Sequence, residues 1–91
     1  MKYKVITAAF DNTTSPPKPV KINGDNKITD YLAESIIDTK DNEIFADCAD
    51  VHDIEDTVLE FWNRINPSSI DGPAYTHNQA SKVVVVDVRP L

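Results

Sequence analysis

Glycine is scarce in this chain, with two residues in 91, and cysteine and tryptophan occur once each. A single cysteine cannot form an internal disulfide, which suits a reducing compartment. Glycines at 24 and 72 alone cannot build a phosphate loop, a dinucleotide fingerprint or a nucleophile elbow. No run approaches the roughly 18 apolar residues that a membrane-spanning helix needs. Bases are missing where acids are densest. The window 30–60 holds eleven acids against Lys40 alone and is −10, while the other residues carry four acids and eight bases and are +4, giving −6 in all. That negative balance argues against direct binding to nucleic acid or to anionic lipid.

What is present bounds the fold. Ninety-one residues make one domain, taken here as 1–91, with a modest core. A hydrophobic content of 41% is too high for a disordered chain despite the charge. The six prolines cluster at 16–19, 67–73 and 90, outside the periodic segments. The N-terminal stretch MKYKVITAAF does not fit a signal peptide, because Lys and Tyr alternate with apolar residues and Asp11 interrupts early. The expected location is cytoplasmic.

Residues 2–10 alternate, with Tyr3, Val5, Thr7 and Ala9 on one face, and read as a strand. Three prolines within 16–19 make residues 11–19 a surface loop outside any sheet ladder. A short edge strand at 20–22 and a turn at Asn23-Gly24-Asp25 follow. Apolar residues at 28, 31, 32, 36 and 37 fit a helical period, predicting a helix over 28–38. That helix would set Asp30, Glu34 and Asp38 at successive i, i+4 steps on one repulsive stripe.

The stretch 43–65 has two readings. The favoured one is a strand at 43–49 and then a helix at 54–65, capped by Asp53 with Asp56 imitating a capping box. The other is one long helix over 43–65. Ile54, Val58, Phe61, Trp62 and Ile65 make one apolar face, with Trp62 in the core and Phe61 half-buried. Asn66-Pro67 ends the helix. Residues 66–81 read as a loop with room for a short strand at 74–77. Four consecutive valines from 83 give a strand apolar on both faces, placed in the sheet's interior beside the N-terminal strand. The expected fold is α+β: a small single domain whose three- or four-stranded sheet carries two helices packed on one face, in the order β-α-β-α-β.

Residues 47–56 look like a metal site at first sight, with one Cys, one His and several carboxylates. Zinc sites want paired Cys or His, and a calcium loop wants a central Gly that this stretch lacks, so no metal and no cofactor are expected. Cys48 with His52 or His77 imitates a thiol nucleophile and base, but acidic surroundings blunt a thiol, and burial as a small hydrophobe accounts for it better. Capping accounts equally for Asp53 and Asp56. No catalytic residue is assigned and no enzyme is expected.

The remaining feature is the acidic belt. Its simplest role is a solvated face; its functional role is to present a field to a basic protein groove. The partner-binding candidates are Asp30, Glu34, Asp38, Asp47, Asp50, Asp53, Glu55, Asp56 and Glu60, with Tyr75 of the long loop as an aromatic contact. The expected function is a non-enzymatic inhibitor that occupies a basic site of a nucleic-acid-handling protein. Size, acidity and lone domain resemble phage- or mobile-element-encoded anti-restriction and anti-CRISPR inhibitors as a class, with no residue motif behind the likeness. The alternative is an adaptor or subunit that meets a protein through Trp62, Tyr75 and a sheet edge. Oligomeric state is left open.

Overall fold

The computed structural model describes residues 1–11, 15–22, 26–64 and 81–91. They form a curled, five-stranded antiparallel sheet with one helix on its inner face. The central strand β1 is Lys2–Asp11. Its odd residues point inward as the alternation requires, and Tyr3, Val5, Thr7 and Ala9 are buried. Of the even residues on the outer face, Ala8 is buried and Phe10 half-buried.

Along one side of β1 run β2, Lys18–Pro19, and β4, Leu32–Asp38. The expectation that 11–19 stays out of the sheet is corrected, since Phe10 pairs with Pro19 and Asp11 with Lys18. Proline is tolerated there because the pairing is two residues long and lies at an edge. Val20 N–H then donates to Ala9 O at 2.9 Å, and buried Ile22 donates to Asp30 O at 3.0 Å. A full strand over 20–22 does not form.

The predicted helix over 28–38 is a hairpin instead. Strand β3, Lys27–Thr29, turns through Asp30 and Tyr31 into β4. Thr29 Oγ1 accepts from the backbone N–H groups of Tyr31 at 3.2 Å and Leu32 at 3.1 Å, which holds the turn. The deciding pattern is Ala33, Ser35 and Ile37, which lie opposite Thr7, Val5 and Tyr3 and face the core. Outward-facing Ile36, 55% exposed, disguised this two-residue period as a helical one.

Along the other side of β1 runs β5, Ser81–Pro90. Val83, Val85 and Val88 lie opposite Ala9, Thr7 and Val5. The register shift between Ile6 and Thr7 leaves Val86 as the extra residue of a bulge. This bulge re-phases the strand, so Val88 rather than Asp87 faces inward. The neighbourhood of β5 and β1 is as expected, but the interior placement is corrected: among the described residues β5 pairs with β1 alone, and Val84 and Val86 are exposed.

The predicted strand over 43–49 is a 3-10 turn at Glu43–Phe45, so the one-long-helix alternative fails as well. Asn42 caps it by accepting from Ile44 N–H at 3.2 Å, and Phe45 drops into the core. The helix α1 is Val51–Arg64. Ile54, Val58 and Trp62 are buried on one stripe against Tyr3, Val5, Ala33, Ile37, Phe45 and Val83, with Phe61 partly buried beside them. Full burial of each such side chain stabilises by about 1.5–3 kcal/mol relative to exposure. Mixed α+β stands; the expected three or four strands are five, and two helices and the β-α-β-α-β order are replaced by four strands, one α-helix and a last strand. The turn at 23–25, the stop at Asn66-Pro67, the loop from 66 to 80 and the strand at 74–77 lie outside the described residues.

Candidate functional site

Two surfaces frame the domain: the outward side of the 3-10 turn and α1, and the helix-free outer face of the sheet. The first is acidic because of how its helix starts. Asp50 Oδ1 accepts from Asp53 N–H at 3.0 Å, and Asp53 Oδ2 accepts from Ala49 N–H at 2.9 Å. Ile54 N–H donates to Asp50 O at 3.2 Å, the first helical bond. The capping carboxylates are therefore Asp50 and Asp53, with Asp53 reaching back to Ala49 N–H, where the sequence suggested Asp53 with Asp56. The spacing of three is the same, shifted three residues earlier, and Val51 at the helix start already packs on the core.

Two of the candidate carboxylates are thus committed to the helix start, where the dipole also favours them. Asp47, Asp56 and Glu60 are exposed and Glu55 is half-buried. His52, Asp56 and Glu60 are exposed at one-turn intervals. From 43 to 62 there are seven acids and no Lys or Arg.

Asp30, Glu34 and Asp38 do not join them. Asp30 meets Lys27 Nζ at 3.4 Å within its own turn. Glu34 lies on the outer sheet face with Lys4 Nζ at 3.4 Å. Asp38 Oδ1 accepts from Lys40 N–H at 3.0 Å and shapes the turn after β4. Glu34 and Asp38 alternate away from the side that α1 covers. The belt that is continuous in sequence is split by the sheet. Tyr75 lies outside the described residues.

Cys48 is half-buried, with Sγ 3.4 Å from Thr57 Oγ1, and it packs against the core from the loop before α1 rather than from a strand. Trp62, 4% exposed, is a core residue. Among the described residues no group of three or more His, Cys, Asp or Glu is gathered to hold a metal ion, and no helix is long and apolar enough to cross a membrane.

The outer sheet face was not singled out by sequence. It carries Ile36 and Val86, each 55% exposed, and a hollow of about 330 Å³ lined by Phe10, Pro17, Lys82 and Val84. Phe10 stands between two cross-strand partners, Pro19 on β2 and Lys82 on β5, while Ala8 pairs with Val84. The signal was available in the valines being apolar on both faces. That pattern suits an interior strand and an exposed apolar face equally, and only the pairing distinguishes them. No family model, curated protein or solved structure matches this chain.

Proposed function

We propose that this chain is a non-enzymatic protein-binding domain whose acidic side docks on a basic groove of a nucleic-acid-handling protein and inhibits it. The observation behind this reading is the stretch 43–62, with seven carboxylates and no fixed positive charge, of which Asp47, Asp56 and Glu60 stand exposed. Such a surface raises the encounter rate with a cationic groove, and its effect falls as salt screens it. Asp47, Glu55 and Asp56 form the contact set, because Asp50 and Asp53 hold the helix start.

The test compares capture by the wild-type chain and by an Asp47→Asn, Glu55→Gln, Asp56→Asn variant, with elution in steps of rising salt. The reading expects a basic nucleic-acid-binding protein that leaves at moderate salt, is lost in the variant, and is competed off by duplex DNA. Retention of the same protein by the variant would sink it.

The adaptor reading changes its surface. Trp62 is buried, so the contact moves to the exposed valines of β5 and its outer edge, which no other described strand pairs. Its mark is a partner that survives high salt and is lost on Val86→Lys.

A further inference from the structure

We propose that the hollow on the outer sheet face is a binding site for a small amphipathic carboxylate, an anionic head on an aliphatic or aromatic body. The site is independent of the acidic side and lies on different elements. It is lined by Phe10, Pro17 and Val84, and among the described residues Lys82 is the one charged residue that lines it. The volume is about 330 Å³. An apolar cavity of about 150 Å³ takes one benzene, and ligand pockets begin at about 300 Å³, so a body of up to about thirteen heavy atoms fits, by that scaling.

Lys82 sets the sign of the head. It lies directly across from Phe10 in the β1–β5 pairing and is exposed, and a lysine so placed can lay its alkyl stem on apolar surface while its ammonium stays in water. Among the described residues no carboxylate forms an ion pair with it. Asp87, farther along the same face of β5, is taken by Arg89 at 2.6 Å. The site also falls in the part of the chain that is net positive: the residues outside 30–60 sum to +4. The acids of the 3-10 turn and α1 lie on the other side of the domain, and Glu34, which shares this face, is paired with Lys4 at 3.4 Å.

The experiment is an amide chemical-shift titration of the full chain with octanoate, octanol and octylammonium, each below its micellar concentration. Saturable octanoate shifts at Phe10, Lys82 and Val84, with affinity in the order octanoate, octanol, octylammonium, are expected. Lys82→Met keeps the apolar stem and should bring octanoate down to the level of octanol, a loss of about two- to fivefold for an exposed charge pair at low salt. Val84→Gln should abolish binding of both while the melting curve stays cooperative. Shifts confined to other residues, or octylammonium binding as well as octanoate, would overturn the assignment. Tighter binding of an apolar peptide with a free C-terminal carboxylate than of octanoate would also overturn it, making the hollow a chain-terminus site.

Discussion

Residues 27–38 and 51–64 share a pattern of charge and apolar spacing and end in opposite conformations. Each has carboxylates four apart, a mix of β-branched and straight-chain residues, and apolar positions that fit a helical period. The first is a hairpin and the second a helix. Local propensity does not separate them, since neither is rich in strong helix formers. Two things do. The helix has a start capped by Asp50 and Asp53, and it has a stripe, Val51, Ile54, Val58 and Trp62, that reaches the core without a break. The hairpin has Thr29 to close its turn, and β1 offers an open edge onto which Ala33, Ser35 and Ile37 fit. The difference teaches that a long central strand recruits an ambiguous segment as its partner.

The most forceful way to break this comparison is truncation of neighbouring isoleucines. Ile37→Ala empties a core position and should cost about 3 kcal/mol, whereas Ile36→Ala, on the outer face, should cost under about 1 kcal/mol. Ile54→Ala in the helix should match Ile37→Ala, since both are deeply buried. Urea midpoints at unchanged slope give the three values. Equal losses at 36 and 37 would restore the helical assignment of this segment.

How much was legible follows from the same contrast. β1 and β5 were readable because their alternation or their valine run admits only a strand. The apolar face of α1, the burial of Trp62 and the half-burial of Phe61 were readable because 54, 58 and 62 keep one period. The hairpin was not, because Ile36 and Ile37 are adjacent and face opposite sides, so the alternation is visible only once β1 is in place. The 3-10 turn was hidden for a related reason: Phe45 is one buried residue on a short excursion, with no periodicity to display. Of the acidic candidates, the run from Asp47 to Glu60 stays together, while Asp30, Glu34 and Asp38 depended on a helix that does not exist. The hollow depended on which face of β5 is covered, which is a property of pairing rather than of sequence.

Next in size is the register of the helix start. Asp50→Ala and Asp53→Ala should each cost about 1 kcal/mol, and Asp56→Ala close to nothing. Amide exchange in the first turn should quicken in the first two variants and not in the third. A loss at Asp56 as large as that at Asp50 would put the cap three residues later. Smaller still is Thr29→Ala, which removes one acceptor from two turn N–H groups and should cost about 0.5–1 kcal/mol on an exposed turn.

The smallest effect bears on which carboxylates are available to a partner. Glu34 lies 3.4 Å from Lys4 on a partly exposed face, and pairs of that kind contribute about 0–1 kcal/mol. A double-mutant cycle with Lys4→Met and Glu34→Gln should therefore give a coupling below about 0.5 kcal/mol, shrinking further at high salt. So weak a pair does not withhold Glu34 from a cation; its position does, on the sheet face that α1 leaves uncovered. Capture by Glu34→Gln should accordingly match wild type while Asp56→Asn falls off. If both fell together, the partner would have to reach around the sheet to touch two faces at once.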